Sequence, residues 1–539
     1  MLTPLLLIPL VSIPASWSAQ ERAAAATITD NEIAAHFRYL SDDLLEGRGP
    51  GSRGESLAIK YVAAQYERIG LRPAGDNGSW FQKLNIVGLK SEIVSPPKFR
   101  AGEKTLVMAP PVDGIVAAGV QKDDVALADA QLVFVGYGIT APEQKWDDYK
   151  DSDVKGKVLL VVNNDPESDP NLFAGKTRLY YGRWSYKYEE AARRGAAAVI
   201  IIHTTPSAGY PWQVVQSSWG REQFELPAGS EPRITAKLWA TDELARKVVA
   251  LGGGDLDEMR KKAESRDFRP IALGVTLSLK LKTQLRQLET ANVIGAWPGA
   301  DARLSNESIV VSAHHDHLGI GTPKNGDAIY NGALDNASGV ASLLSLAEAV
   351  SRAKPKRTVL FISLTMEESG LLGSQYFCEH SIRPIESIVA DVNIDGINIW
   401  GRARDVVSIG LGKSSLDGVV DLAAKQQGRS VGADPLSDRG FFYRSDQFSF
   451  ARVGVPSVYL RAGRNFDGHE PDWGNKRIEE FERTRYHQPS DQMDSTWDLS
   501  GAVDDLRLLS TVILRIADAR ERPRWNPGDE FAARRPSKN

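Results

Sequence analysis

Histidine and carboxylate side chains in this chain gather in five short polar motifs. Three of the eight histidines lie in the motif Ala-His-His-Asp-His that begins at Ala313. An Asp in Gly-Ala-Leu-Asp-Asn, a Glu-Glu pair, an Asn-Ile-Asp-Gly motif and a Tyr-His dipeptide follow along the chain. These are the types of side chain that zinc accepts when no cysteine is available. The candidate ligands are His314, Asp316, Asp335, Glu367, Glu368, Asp395 and His487.

The number of these side chains matches a site for two metal ions. Two zinc ions about 3.5 Å apart need one bridging carboxylate and two further ligands each. Five ligands meet that requirement, and two carboxylates remain. One could orient a ligand histidine through its second ring nitrogen, and the other could act as a general base. Each motif alone has an ordinary explanation, such as a polar loop or an acidic first helical turn. Their joint occurrence favours a metal centre.

The rest of the composition limits the possible functions. The single cysteine, Cys378, excludes an internal disulfide and a thiolate metal site. The formal net charge of -4 provides no basic surface for nucleic acid, so no nucleic-acid partner is expected. A chain of 539 residues is too long for one ordinary compact domain.

Alternating strands and helices are predicted to position the polar motifs. From about residue 290, apolar runs such as SIVVSAH, RTVLFISLT and IVADVNID alternate with helical stretches such as GVASLLSLAEAVSRA. Strands that are apolar on both faces are typical of an α/β fold with a mixed, largely parallel sheet flanked by helices. Catalytic groups collect at the carboxyl ends of strands in such sheets. The motifs follow these strands, so we expect them to meet there.

Changes of character along the chain predict five segments. The first is apolar, interrupted by proline and too short to cross a bilayer, which is typical of a signal peptide. It predicts an exported protein, periplasmic or secreted, without stable membrane insertion. The third segment has short β-rich runs but no clustered ligands, and its loop at 207–229 is expected to be irregular and exposed. The last is rich in proline and charge and is expected to fray. The segments are a signal peptide at 1–18, a main domain at 27–118 and 280–520, an insertion at 119–279 and a tail at 521–539.

On these motifs the chain resembles the co-catalytic zinc exopeptidases, a family that includes secreted bacterial leucine aminopeptidases and glutamate carboxypeptidase. The stretches EGRGPGSRGESLAIKYVAAQ and GLRPAGDNGSWFQ resemble the start of that family's peptidase domain. The stretches FVGYGI, DDYKDSDVKGKVLLV and YKYEEAARRGAAAVIII resemble a protease-associated domain inserted into it. The resemblance therefore implies a zinc exopeptidase fold with a smaller, β-rich αβ insertion.

The resemblance also implies a cofactor of two Zn²⁺ ions and a metal ligand at each motif. In AHHDH, His314 would bind the first zinc, and in NIDG, Asp395 would complete it. In MEESG, Glu368 would bind the second zinc, and in YHQPSD, His487 would complete it. In GALDNASG, Asp335 would bridge the two ions.

The same resemblance implies supporting roles for the remaining motif residues. Asp316 would orient the first ligand histidine, and Glu367 would be the general base. Tyr486 would donate a hydrogen bond to the scissile carbonyl oxygen. Glu367 and Asp395 are available to hold a free substrate α-amine. The peptide bond Asp335–Asn336 is predicted to be cis.

Other polar and aromatic residues near the motifs have two interpretations. His315 and His317 do not stand at ligand positions and are expected to pack in their loop or form a pocket wall. The three consecutive aromatic residues Phe441, Phe442 and Tyr443 would line a substrate pocket or lie in the core.

The expected activity is hydrolysis of N-terminal residues from peptide substrates by metal-activated water, an aminopeptidase reaction. A carboxypeptidase or dipeptidase stays open, because Arg439, Arg444 and Arg461 are available to bind a terminal carboxylate. An aminoacyl cyclase with one zinc on the same fold stays open as well. A non-catalytic, receptor-like binding module is disfavoured because no ligand position has been lost. The sequence predicts no oligomeric state.

Overall fold

The computed structural model describes residues 13, 14, 16–219 and 221–534. These residues form two compact units. The first unit comprises the chain up to Leu84, Glu289–Asp434 and the chain from Ser445 onward, and the second comprises Asn85–Leu288 with Pro435–Arg444.

The predicted segments can be compared with these two units. The predicted insertion at 119–279 lies within the second unit, which begins earlier, at Asn85. Most of the predicted signal peptide, residues 1–12 and 15, lies outside the described residues. None of the described helices has the length and apolar character that a membrane crossing requires.

The first unit is built on a mixed sheet whose four central strands are parallel, as the sequence predicts. An antiparallel strand borders the central four on each side. The predicted α/β fold is therefore confirmed. In spatial order the strands are Ser430–Ala433, Asp405–Ser408, Ser457–Ala462, Ile388–Asn393, Ser308–His314, Thr358–Leu364 and the last part of Ile271–Trp297.

Helices cover both faces of this sheet, which explains why the central strands have apolar residues on both faces. In the central strand, Ile309 and Val311 pack into a large core with the helix Ser338–Ser351, whereas Val310 packs on the opposite face with Phe377. Successive strand side chains point to opposite faces, so a strand buried on both sides has no polar alternation. The helices are Ala19–Ala25, Asp30–Leu40, Arg53–Ile69, Ser338–Ser351, Leu372–Glu379, Leu416–Gln426, Gln447–Arg452, Trp473–Thr484 and Ser500–Asp518.

The second unit has a core of its own, built around a further set of paired strands. Three neighbouring parallel pairings join four of its strands, and antiparallel strands extend the sheet on both sides. Its strands are Phe81–Ala101, Lys104–Val107, Gly114–Ala118, Asp124–Phe134, Val158–Val162, Ala198–His203, Gln223–Glu225, Ala236–Thr241 and the first part of Ile271–Trp297. Its helices are Trp184–Arg193, Thr205–Ala208, Trp212–Trp219, Asp242–Leu251 and Leu256–Ala263.

Two expectations of irregular structure are wrong. The segment 207–229 contains a helix and a short strand, because Val215 and the flanking tryptophans pack against the core of the second unit. The described part of the C-terminal tail is packed as well. There, the side chain of Phe531 is buried and Trp525 Nε1 donates to the carbonyl oxygen of Gly454. In both segments the aromatic side chains provide the apolar area that stabilises an ordered backbone.

Candidate metal centre

Several of the predicted ligands lie at the end of a strand of the first unit, or just after it. His314 is the last residue of its strand, and the Glu367–Glu368 pair follows the neighbouring strand Thr358–Leu364. Met366, just before the pair, has a positive φ of 61° and turns the chain sharply. Asp395 follows the strand Ile388–Asn393. Parallel strands end at one edge of the sheet, so these side chains converge there.

The first group of ligand atoms surrounds the ring of His314. Its Nε2 atom lies 3.4 Å from Oδ1 of Asp335 and 3.6 Å from Oδ1 of Asp395. This nitrogen is buried and has no hydrogen-bond partner among the described residues. Carboxylate oxygens of two different motifs therefore lie beside this one nitrogen.

The second group surrounds His487, which lies far along the chain from the sheet motifs. Its Nε2 atom lies 3.1 Å from Oδ2 of Asp335 and 3.2 Å from Oε2 of Glu368. Asp335 thus turns one carboxylate oxygen to each group. That is the arrangement expected of a carboxylate that bridges two cations.

These distances agree with the ligands of zinc. Nitrogen and oxygen ligands lie about 2.0–2.2 Å from zinc, which places tetrahedral ligand atoms about 3.3–3.6 Å from one another. The four separations in the two groups, 3.1 to 3.6 Å, are close to this value. A buried polar atom without a partner requires an explanation. The unpartnered His314 Nε2 is explained if it binds a metal ion, so the residues fit the cofactor.

The electrostatics of the site favour a cation. Burial alone would lower the pKa of His487, but the negative charges of Glu368 and Asp335 raise it to about 10. Burial raises the pKa of Glu367 well above its ordinary value; His314 opposes this rise, and the neighbouring Asp395 increases it. Several carboxylates thus share a small buried volume with few positive charges.

Asp316 connects two of the motifs. Its Oδ1 lies 3.7 Å from Nδ1 of His314, and its two carboxylate oxygens accept hydrogen bonds from the backbone N–H groups of Glu367 and Glu368 at 3.0 and 3.3 Å. The carboxylate therefore holds the turn that carries the Glu pair, while the backbone carbonyl oxygen of Asp316 lies 3.2 Å from Nδ1 of His314. Sequence reasoning anticipated only its contact with the ring.

The turn that carries Asp335 is held by side chains from distant parts of the chain. The Asp335–Asn336 bond is cis, which confirms the prediction. Asn336 accepts hydrogen bonds from the N–H groups of Gly339 and Gly396, so it ties this turn to the turn of Asp395. Asp491 accepts from the N–H groups of Leu334 and Asp335 at 3.0 and 3.1 Å.

Sequence reasoning missed the roles of Asp491 and Arg48. Burial raises the pKa of Asp491 to about 6. The only feature of the sequence that could have indicated its role is its position four residues after His487. The buried Arg48 side chain donates to the carbonyl oxygens of four residues in three separate segments, and burial lowers its pKa to about 10. These hydrogen bonds hold the three segments together next to the metal motifs. The four acceptors are Leu40, His315, Asn331 and Gly332.

The structure separates the two remaining histidines. His315 packs in its loop, with Nδ1 3.0 Å from the hydroxyl of Ser363 and Nε2 3.5 Å from Oε1 of Glu55. His317 instead has its Nδ1 atom 2.6 Å from Oε1 of Glu368. That distance is too short for two ligands of one tetrahedral zinc, and neither atom has a hydrogen-bond partner among the described residues.

The structure also gives the positions of Tyr486 and of the predicted aromatic run at 441–443. The ring of Tyr486 stacks on His487 with centroids 3.9 Å apart, and the residue is 37% exposed. A second, buried tyrosine that sequence reasoning missed, Tyr459, has its hydroxyl 3.4 Å from the carbonyl oxygen of Asp395. In the predicted aromatic run at 441–443, Phe442 and Tyr443 are buried.

The three arginines considered for a terminal carboxylate do not belong to one unit. Arg461 lies in the strand Ser457–Ala462 of the first unit. Arg439 and Arg444 belong to the second unit.

Comparison with known proteins agrees with this fold and this set of side chains. Residues 292–510 match the profile of Peptidase family M28. An aminopeptidase from Aneurinibacillus sp. strain AM-1 has a similar structure, with a TM-score of 0.51 at 19% identity over 92% of this chain and 96% of that chain. This structural similarity supports the mixed α/β fold described above.

Three curated relatives share parts of the sequence. Aminopeptidase YwaD of Bacillus subtilis is 27% identical over 40% of this chain and 42% of its own length. A probable leucine aminopeptidase 2 of Aspergillus oryzae is 26% identical over 64% of this chain and 59% of its own length. A vacuolar membrane protease of Vanderwaltozyma polyspora is 31% identical over 23% of this chain. The chain thus spans between 12% and 59% of the length of these relatives. The profile of Peptidase family M28 matches residues 292–510, and the predicted family resemblance is confirmed.

Proposed function

We propose that the protein is a two-zinc aminopeptidase that hydrolyses N-terminal residues from peptides. The observation that carries this proposal is the position of Asp335, whose two oxygens face two separate groups of ligand atoms. The family match over the same residues supports a peptidase activity. The aminopeptidase names of two relatives support action at the N-terminus.

Each metal ion would have three protein ligands in this proposal. His314 and Asp395 would hold the first ion, and Glu368 and His487 would hold the second, with Asp335 shared between them. When bound, zinc lowers the pKa of a water molecule toward neutrality and polarises a carbonyl group.

Glu367 would act as the general base. Its Oε2 atom lies 3.9 Å from Nε2 of His314, so it borders the first group of ligand atoms. Asp316 holds its backbone N–H, which fixes the direction of the side chain. The carboxylate would accept a proton from the attacking water and then donate it to the leaving amine.

Substrate groups would be held by residues around the same edge of the sheet. Tyr486 would donate its hydroxyl to the oxygen of the scissile carbonyl, where negative charge develops. Glu367 and Asp395 would accept hydrogen bonds from the free α-amine.

His317 would orient a metal ligand rather than bind metal. Its Nδ1–H would donate to Oε1 of Glu368, which leaves Oε2, the oxygen near His487, for the second ion. Such outer hydrogen bonds fix the geometry of a ligand and increase metal affinity. This role replaces the expectation that His317 only packs in its loop.

The second unit would be a protease-associated domain without catalytic residues, and the protein would be exported. The second unit has a core of its own. If the second unit took part in chemistry, Glu190→Gln and Asp148→Asn, which alter its buried carboxylates, would reduce turnover at saturating substrate.

A chelator experiment with amino- and carboxyl-blocked substrates tests the function. Aminoacyl-nitroanilides should be cleaved by the zinc-loaded protein, the activity should disappear with a chelator, and added zinc should restore it. A dipeptide with a blocked carboxyl group should be cleaved, whereas one with a blocked amino group should not. The opposite preference would indicate a carboxypeptidase. A stoichiometry of one zinc with cyclisation of N-terminal residues would indicate an aminoacyl cyclase.

A further inference from the structure

Three arginines of the second unit share one region and lack ion pairs. Arg178 is 4% exposed, and its guanidinium donates to the carbonyl oxygens of Ser207 and Ala208 at 2.6 and 3.3 Å. The guanidinium of Arg444 lies 5.2 Å from the centre of the Phe441 ring. Among the described residues, neither these two arginines nor Arg183 has a carboxylate within ion-pair distance.

Buried charges in proteins are usually paired, and like charges raise the cost of burial. Burial and, to a smaller extent, the positive charges of Arg444 and Arg178 lower the pKa of Arg183 to about 10. The Nε atoms of Arg178 and Arg183 are buried without a hydrogen-bond partner. A partly buried group of positive charges with unused N–H donors attracts an anion.

A helix N-terminus adds to this positive charge. Arg183 is the N-cap residue of the ten-residue helix Trp184–Arg193, and no side chain caps that helix. The first turn of a helix has N–H groups without intrahelical partners and carries the positive end of the helix dipole. Just before the helix, a Cβ on Gly182 would lie 2.9 Å from Cγ of Arg178, so a glycine lets the two arginine segments approach closely.

The negative groups nearby do not balance three arginines. Asp165 raises the pKa of Arg178, with burial as the larger and opposite influence, and Asp438 contributes less. Asp165 also accepts a hydrogen bond from the N–H of Leu179. The buried Lys187 adds another basic group beside Asp165 and Asp148. Positive charge stays in excess.

We propose that Arg178, Arg183 and Arg444, together with the N-terminus of the helix Trp184–Arg193, bind a small oxyanion. A guanidinium presents a planar fork of N–H donors that matches a carboxylate, sulfate or phosphate. Helix N-termini bind the same anions through backbone N–H groups. Burial raises the pKa of Tyr210, and the charges of all three arginines oppose that rise, so the hydroxyl of this tyrosine would be a further donor.

The proposal is tested by titrating sodium sulfate into the full-length, zinc-loaded protein, with sodium chloride at equal ionic strength as the reference. We expect saturable binding of one sulfate and a rise in melting temperature that chloride does not reproduce. Arg183→Gln and Arg444→Gln should each weaken sulfate binding at least about tenfold, since each removes a charged donor. The matched control, Arg286→Gln, changes an exposed arginine of the same unit that already pairs with Glu222, and it should bind sulfate normally.

Further ligands distinguish the source of the anion. If a free amino acid binds at the same site and its amide does not, the ligand is a carboxylate; if only phosphate and sulfate bind, it is an inorganic or ester oxyanion. Arg183→Lys keeps the charge without the fork and should bind more weakly than the wild type, and it serves if Arg183→Gln does not fold. No sulfate binding, or binding that survives both the Arg183 and the Arg444 substitutions, would overturn the proposal.

Discussion

The candidate metal-ligand cluster of the first unit is rich in carboxylates, and the arginine cluster of the second unit is positively charged. Both contain buried polar atoms that lack a hydrogen-bond partner in the described part of the chain. In the first, carboxylates and histidines crowd together until their charges raise the pKa of His487 to about 10. In the second, crowded arginines lower the pKa of Arg183 to about 10, in addition to the larger influence of burial. Each cluster leaves buried polar nitrogens without partners, His314 Nε2 in one and the Nε atoms of two arginines in the other.

The difference between them lies in how each is supported. Two of the candidate metal ligands, Glu368 and Asp335, have their backbone N–H groups held by the buried carboxylates of Asp316 and Asp491. The arginine cluster has fewer such supports, namely the contacts of Arg178 with the carbonyls of Ser207 and Ala208. A supported cluster suits geometrically demanding chemistry, whereas a less supported one suits binding of a simple ion.

The largest expected effect separates the two adjacent glutamates of the metal cluster. Glu367→Gln keeps all proposed ligands but cannot accept a proton, so turnover should fall about 10²–10⁴-fold, or about 3–5 kcal/mol of barrier, at unchanged zinc content. Glu368→Gln replaces an anionic ligand with a neutral amide, so zinc content should fall. Turnover of an aminoacyl-nitroanilide and bound zinc should be measured for both.

An exposed residue of the same unit provides the control for this pair. Glu470→Gln should change neither property, since its side chain is exposed. Equal zinc loss in the Glu367 and Glu368 variants, or an active Glu367→Gln enzyme, would mean that the base is assigned wrongly.

Removal of zinc should affect the first cluster and leave the second unchanged. A ligand at 1,000 times its Kd stabilises the folded state by about 4 kcal/mol, and that contribution is lost when the ligand is removed. Hydrogen exchange at residues 332–337 should therefore accelerate after chelation, while exchange at 178–186 should not. Equal acceleration in both segments would contradict the view that the clusters bind different ligands.

Arginines of the two units should respond differently to loss of charge. Arg48→Met leaves four carbonyl oxygens without their donor, which should lower the free energy of unfolding by about 2–4 kcal/mol. Arg183→Met removes an unpaired charge from among like charges, so in sulfate-free buffer it should be neutral or stabilising. Urea unfolding followed by tryptophan fluorescence compares them. A destabilisation of Arg183→Met as large as that of Arg48→Met would show that the arginine cluster is purely structural.

The smallest effect concerns the residue that orients Glu368. His317→Gln should reduce the affinity for the second zinc about 10–100-fold, the usual result of losing an outer hydrogen bond to a ligand. His315→Gln is the matched control, because the adjacent ring contacts Ser363 and Glu55 instead of a ligand. Competition with a chromophoric chelator measures both affinities. Unchanged zinc affinity in His317→Gln would remove its proposed role.

Much of the fold and of the candidate ligand set can be predicted from short stretches of the sequence. The strand that ends at His314 has apolar residues on both of its faces, and its burial at every position agrees with that pattern. The helix Asp30–Leu40 begins after Thr29, whose side chain caps it as a threonine in that position should. In contrast, the helix Trp212–Trp219 was missed, because its polar surroundings hide the apolar contacts that stabilise it.

The sequence by itself determined which side chains could bind metal, because residue type and position after a strand are properties of a few neighbouring residues. Only the tertiary structure decided what supports them. Arg48 reaches the carbonyl oxygens of His315 and Asn331 across 267 and 283 residues of chain. Likewise, Arg183 and Arg444 become neighbours only when the segment Pro435–Arg444 joins the second unit. Contacts of this kind depend on packing of the whole chain, and no local pattern of residue types specifies them.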